Sequence, residues 1–335
     1  METPYYPTYS HVEMLKSSIN LNSNLLKHDD LQPELAIYYW MSLVFALDKK
    51  ARALHSQGHL ATFPSSRGQE ALFVALGQVL SSADCYVPYY RDHGCLLQRG
   101  YTVEDILKYW GGYTQGNQSG YAHDFSICVP IASQTTHAVG AAWRYKNSKD
   151  RIVATMIGDG GTSKGDFYES LNFACIHKLP VLYVINCNNW AISTPLSSQS
   201  ASSLLDKFSG FGAMVSEVDG MHYKEIEAAL TSARQCILQG FGPQVIICQT
   251  HRLDPHTVLD DYSKYADKLY IDNLRKQFNP IENYKNYLLE NIDCDQSTLE
   301  ELTLLTQSQV DDAAQSFIDY APPSFCPKKY LFSYE

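Results

Sequence analysis

The chain has 335 residues, 45% of them hydrophobic, with 36 acidic and 26 basic side chains and a formal charge of -10. That supplies a core large enough for one sizeable α/β domain, and no apolar run reaches the roughly 18 residues of a spanning helix, so no membrane association is expected. The acid excess and the absence of a dense Lys/Arg patch exclude an electrostatic grip on nucleic acid.

The start, METPYYPTYSHVEMLKSS, carries neither a basic nor an apolar leader stretch, and the nine cysteines are scattered without a C-x-x-C pair. A cytoplasmic protein with buried thiols is expected. Glu34 to Asp48 is apolar on most faces of a helical period, as in a helix packed between other elements, and reads as part of an N-terminal helical arm. Gly68-Gln69-Glu70 opens a second apolar helix running through Leu80, and Cys85 to Tyr90 reads as a short strand or extended piece. Gly111 to Gly120 has no apolar period and reads as a loop. Three short apolar runs, Arg151 to Ile157, Val181 to Ile185 and Gln244 to Cys248, read as strands buried on both faces. Helical stretches separate them, which predicts a parallel sheet flanked by helices. Beyond about residue 265 the chain turns polar and helical, at Leu269 to Phe278, Asn283 to Glu290 and Thr298 to Phe317, and ends in a Pro-containing tail. With no repeat and no linker, the division expected is an extension over 1–35, an α/β domain over 36–265, and C-terminal helices and tail over 266–335 packed on that same domain.

After the strand ending at Ile157 comes Gly158-Asp159-Gly160-Gly161-Thr-Ser-Lys-Gly165, and then a helix from about Asp166. A strand, a Gly-rich turn and a helix start together form an anion site. A P-loop needs Gly-Lys followed by Ser or Thr, whereas the order here is Ser163-Lys164-Gly165. A dinucleotide fingerprint needs a third glycine where Ser163 stands. The remaining reading uses Asp159 to hold a metal ion that neutralises a diphosphate. A second ligand is then expected one crossover later, and Asn188 lies 29 residues after Asp159. Both side chains would meet at the carboxyl ends of neighbouring parallel strands.

Gly-Asp-Gly followed about thirty residues later by Asn-Asn resembles the thiamine diphosphate motif. The surrounding sequence resembles the alpha subunit of the decarboxylating component of 2-oxoacid dehydrogenases. The resemblance is carried also by Gly68-Gln-Glu-Ala71, Tyr89-Tyr-Arg-Asp-His-Gly94, Ala191-Ile-Ser-Thr-Pro195 and Arg252-Leu-Asp-Pro-His-Thr257, and it runs from about Ala36 to the C-terminus. It implies a thiamine diphosphate-binding fold and Mg2+ held by Asp159, Asn188 and the backbone carbonyl of Trp190. Tyr90 and Arg91 would meet the diphosphate. The backbone carbonyl at Val129-Pro130-Ile131 would meet the aminopyrimidine, and the Ile131 side chain, which by itself reads as core, would prop the cofactor. Gly158, Gly160 and Gly161 would line it, the last two giving close backbone approach. His256 would touch the reacting end as the catalytic residue, and Thr257 falls where some relatives carry a regulatory phosphoserine.

In that family the glutamate that activates the aminopyrimidine belongs to a separate beta subunit. The assembly implied is two alpha and two beta chains, passing an acyl group from a 2-oxoacid to a lipoyl transacylase core. The Arg252 to Thr257 stretch favours a branched-chain 2-oxoacid, with pyruvate and acetoin as alternatives; a non-catalytic alpha-like assembly or regulatory subunit is the competing class. The chain departs from the pattern at Asn186-Cys187-Asn188-Asn189-Trp190, where the first Asn of the pair has become Cys187 and Asn186 replaces an Arg that touches diphosphate in some relatives. It departs again at Asn117 to His123, where His123 is a candidate for the family's loop histidine.

Overall fold

The runs expected to be extended form strands in the computed structural model, which describes residues 33–117 and 121–321. In chain order β1 is Cys85–Val87, β2 Val153–Gly158 and β3 Val181–Cys187; a small antiparallel pair follows, β4 (Trp190–Ala191) and β5 (Thr194–Pro195), and then β6 (Met214–Asp219) and β7 (Gln244–Gln249). The five longer-range strands make one wholly parallel sheet in the order β1-β2-β3-β7-β6. β6 was not apparent in the sequence because Met214 to Asp219 is mostly exposed. An edge strand needs no apolar residues on both faces, so the pattern that betrays the central strands is missing there.

Helices cover both faces. They are α1 (Pro33–Ser56), α2 (Glu70–Val79), α3 (His93–Gln98), α4 (Val103–Trp110), α5 (Ser133–Arg144), α6 (Gly165–His177), α7 (Leu204–Ser209), α8 (Tyr223–Leu238), α9 (Lys268–Gln277), α10 (Pro280–Asn291) and α11 (Gln296–Asp319). Alternate residues of each central strand point to opposite faces. Ala154, Met156, Leu182, Val184 and Ile246 join a core with α1, α2 and α8, whereas Val153, Ile157, Val181, Tyr183, Ile185 and Ile247 join a second core with α5 and α6. α1 is buried on most faces, and α10 and α11 lie against it, with Tyr38 Oη 3.2 Å from Thr303 Oγ1 and Tyr39 Oη donating to Gln309 at 2.6 Å. The expected loop over 111–120 contains a 3-10 turn at Thr114–Gly116. The expected N-terminal extension, the centre of the 117–123 stretch and the C-terminal tail lie outside the described residues, save where α1 begins at Pro33.

The register of β2 against β3 sets Gly158 beside Asn186. Asp159 and Asn188 therefore leave the sheet from adjacent strands at the same end, where the exits of β1 and β7 also lie.

Candidate active site

Four strand exits and the segment before α5 surround one cleft. Tyr89, Tyr90 and Arg91 follow β1, Asp159 to Gly161 follow β2, Asn188 and Trp190 to Ile192 follow β3, and His256 stands in the loop after β7. Cys128, Val129, Ile131 and Gln134 close the remaining wall. The residues expected to hold cofactor and metal and to act in catalysis line this space: Tyr90, Arg91, Val129, Ile131, Gly158, Asp159, Gly160, Gly161, Asn188, Trp190 and His256. His123 is exposed and is not part of the lining.

Asp159 is 1% exposed, yet neither carboxylate oxygen has a hydrogen-bond partner. Burial raises its pKa to about 6, and the nearby backbone N–H groups of Gly160 and Asn188 offset this only in part. A buried carboxylate left without donors is costly unless a cation answers it. Asn188 is fixed beside it: its Nδ2 donates to Gln69 Oε1 at 3.2 Å, and its Oδ1 accepts from Trp190 N at 3.2 Å. Asn189 takes φ 67°, the left-handed conformation that Asn tolerates better than most residues, and the residues after it, Trp190 to Ile192, line the cleft.

Gln69, from the Gly-Gln-Glu stretch, also accepts from Asn186 Nδ2 at 2.7 Å, and Thr250 donates to Asn186 Oδ1 at 2.6 Å. Asn186 is thus consumed in holding β3, β7 and the start of α2 together and does not line the cleft. Gly160 and Gly161 are close-packed for a reason the sequence did not show. A Cβ on Gly160 would sit 2.4 Å from Ala191 Cβ, and one on Gly161 would sit 2.6 Å from Ile157 Cγ1 and 3.2 Å from Ile131 Cγ2. Their first service is chain against chain.

Arg91 is buried, and among the described residues it makes no ion pair, with Asp92 or otherwise. Its Nη1 donates to Ser65 O at 2.6 Å and to His256 O at 2.9 Å, and its Nη2 lies 3.0 Å from His256 Nδ1. Arg252 also approaches that nitrogen, Nη1 to Nδ1 3.3 Å, while donating to Ile192 O at 2.8 Å and Tyr265 Oη at 2.9 Å. Neither guanidinium can accept, so His256 Nδ1 is an acceptor and its ring proton sits on Nε2. Burial, with the charges of Arg91 and Arg252 next, lowers the His256 pKa to about 3. The ring is neutral and its N–H is a hydrogen-bond donor. Asp260 accepts from the His256 backbone N–H at 2.8 Å and from Tyr265 Oη, which ties down the loop. Thr257 is half-buried, its Oγ1 accepting from Leu259 N at 3.3 Å.

Ile131 corrects its bare sequence reading as core: it is 43% exposed at the cleft, as is Val129 at 44%. Ile192 stands beside them in a left-handed conformation, φ 54°, which is strained for a β-branched residue and is held by the Arg252 bond. Gln134 was missed. It is buried in the cleft wall, its Nε2 donates to Met156 O at 3.0 Å, and its Oε1 has no partner. A lone glutamine inside a helical period carries no sequence signal of such a place.

Among the described residues no group of three or more His, Cys, Asp or Glu side chains gathers to hold a metal. A cation at Asp159 would complete its shell from amide and backbone oxygens, a bound ligand and water, which is how Mg2+ is held.

A family model described as Dehydrogenase E1 component matches residues 38–325. Among characterised proteins, the chain is 35% identical over 269 residues to the 3-methyl-2-oxobutanoate dehydrogenase subunit alpha of Mycobacterium tuberculosis, covering 78% of this chain and 72% of that one. It is 32% identical over 328 residues to the Pyruvate dehydrogenase E1 component subunit alpha of Mycoplasma genitalium, covering 96% and 89%. It is 32% identical over 267 residues to a mitochondrial 2-oxoisovalerate dehydrogenase subunit alpha of Arabidopsis thaliana, covering 76% of this chain and 57% of that longer one. A parallel sheet that converges these loops on one buried carboxylate, and a match running along nearly the whole chain, lead to the same place: the chain belongs to the dehydrogenase E1 component family, as an alpha-type subunit of a 2-oxoacid dehydrogenase.

Proposed function

We propose that this chain, paired with a beta subunit, binds thiamine diphosphate through Mg2+ in the cleft and catalyses the oxidative decarboxylation of a 2-oxoacid. A branched-chain 2-oxoacid is the first substrate proposed and pyruvate the next, with the acyl group passed to a lipoyl domain of a transacylase core. The observation that carries the reading is the buried Asp159 carboxylate, both of whose oxygens lack a donor at the exit of β2. Asn188 and the Trp190 carbonyl are its proposed companions in holding the metal. The guanidinium of Arg91 supplies a planar donor fork suited to phosphate oxygens.

When bound, thiamine diphosphate supplies the nucleophile and the electron sink for loss of carbon dioxide. This chain's residues do the rest of the work assigned to it. Ile131 presents an apolar edge toward the cofactor, and His256 offers its Nε2–H to negative charge developing on the substrate oxygen. A neutral donor held by two arginines needs no reorganisation when that charge appears. Val129, Ile131 and Ile192 leave an apolar rim about half exposed, which favours cover by a second chain.

The test is calorimetry of thiamine diphosphate on the reconstituted alpha and beta pair, with and without Mg2+. Binding that requires Mg2+, and its loss in Asp159→Ala, is the expected result. Equal binding without the metal, or an unaffected variant, removes the ligand assignment. Turnover of a panel of 2-oxoacids then orders the substrates.

A further inference from the structure

Arg91 sits in the cleft wall without a carboxylate in contact, which raises the question of what fixes it. Both ends of the residue are held by one dipeptide, Ser65-Ser66. The Ser65 carbonyl accepts from Arg91 Nη1 at 2.6 Å, and the Ser66 hydroxyl donates to the Arg91 carbonyl at 3.2 Å. On its other side the same dipeptide is gripped by Asp48, far along the interior of helix α1. Asp48 Oδ1 accepts from Ser65 Oγ at 2.9 Å, and Oδ2 accepts from the Ser66 backbone N–H. We propose that Asp48 is a positioning residue for Arg91, acting through Ser65-Ser66, and that it thereby sets the affinity for the diphosphate. The proposal rests on the reading of Arg91 as a diphosphate contact.

Several observations support an active grip over passive filling. Asp48 is 3% exposed, and among the described residues it makes no ion pair, since the nearby Arg67 is paired with Glu70. Burial pushes its carboxyl up to about 7. An unpaired acid in a core is a cost that an apolar residue of similar size would avoid. What an apolar residue could not do is accept from a serine hydroxyl and the next backbone N–H together.

The dipeptide is pinned from a third direction as well. Trp110 Nε1 donates to His93 Nε2 at 3.3 Å, so the buried, neutral His93 carries its proton on Nδ1 and donates to Ser66 Oγ at 3.0 Å. That leaves the Ser66 hydroxyl proton for the Arg91 carbonyl. The arrangement also explains why the carboxylate stands one layer back. A carboxylate in direct contact would occupy the guanidinium fork, whereas neutral carbonyls orient it and leave its charge for a phosphate.

The experiment measures thiamine diphosphate affinity by calorimetry on the alpha and beta pair in saturating Mg2+, as a double-mutant cycle of Asp48→Asn with Arg91→Lys. Asparagine keeps the size but sets an NH2 against one of the two donors. Each single variant is expected to weaken binding by about 10-fold, and the double variant by no more than about 2-fold beyond Arg91→Lys alone, because residues acting through one contact are not additive. If Asp48→Asn does not fold, Ser65→Ala, which removes the Asp48 Oδ1 bond and keeps the Ser65 carbonyl that holds Arg91, replaces it in the cycle with the same expectation. Multiplying losses, or full affinity in the Asp48 or Ser65 variant, overturns the inference and leaves the function reading intact. An Arg91→Lys variant of unchanged affinity overturns both the inference and the diphosphate role of Arg91.

Discussion

At His256 the environment decides the chemistry more than the residue type does. The unfolded histidine protonates near 6.5, whereas in the fold burial and then the two arginine charges lower it to about 3. Between those values the unfolded chain binds the proton and the folded chain does not, so stability falls as pH falls through that window. His256→Gln removes this contribution while keeping an acceptor for the arginines. The variant is expected to lose less melting temperature than the parent between about pH 7 and about pH 5. His93, shifted in the same direction, is present in both proteins and cancels. Identical slopes would mean that His256 is not held neutral. With the beta chain present, the same replacement is expected to lower kcat by about 10²-fold or more, read from steady-state turnover.

The loop that carries His256 has no regular structure of its own between β7 and the turn at Tyr262, so its order comes from anchors. Asp254 bridges Arg52 on α1, at 2.5 Å, and Arg275 on α9, at 3.1 Å, and Arg275 Nε also donates to Leu253 O at 3.0 Å. Leu253 N donates to Arg67 O at 3.1 Å and Val258 N to Phe63 O at 3.0 Å, stitching the loop to the segment before α2. Both arginines are roughly half exposed, so the ion pairs are worth about 1 kcal/mol or less to global stability. Asp254→Ala should therefore leave the melting temperature nearly unchanged while speeding amide exchange over residues 251–258. A slow, parent-like exchange there would show that the backbone bonds alone suffice. These anchors mark the limit of what the sequence could tell. The central strands were legible because burial on both faces demands unbroken apolar runs, and the Asp159 and Asn188 pair because a crossover fixes their separation. β6, Gln134 and the Asp48 grip were not, since an edge strand, a single amide and one acid on an apolar helix have no period or spacing to announce them. Ile131 read as core for the same reason: an apolar residue looks alike whether it faces a core or a cleft.

For the whole molecule, the sheet places the proposed metal ligands at one end, beside the apolar rim of Val129, Ile131 and Ile192. A ligand that binds only the folded pair stabilises it by RT ln(1 + [L]/Kd), about 2.7 kcal/mol at a hundredfold excess over Kd. The reconstituted alpha and beta pair should therefore gain melting temperature when thiamine diphosphate and Mg2+ are added together. A chelator should abolish the gain, because the diphosphate charge then faces the Asp159 carboxylate without a cation between them. Asp159→Ala separates two effects in the same experiment. Removing this buried carboxylate should raise the melting temperature of the ligand-free pair, since burial there costs stability that the nearby Gly160 and Asn188 N–H groups repay only in part. It should also erase the shift produced by cofactor and metal. A variant that is no more stable without ligand would show that Asp159 is already satisfied within the chain, and one that keeps the shift would show that the metal is held elsewhere.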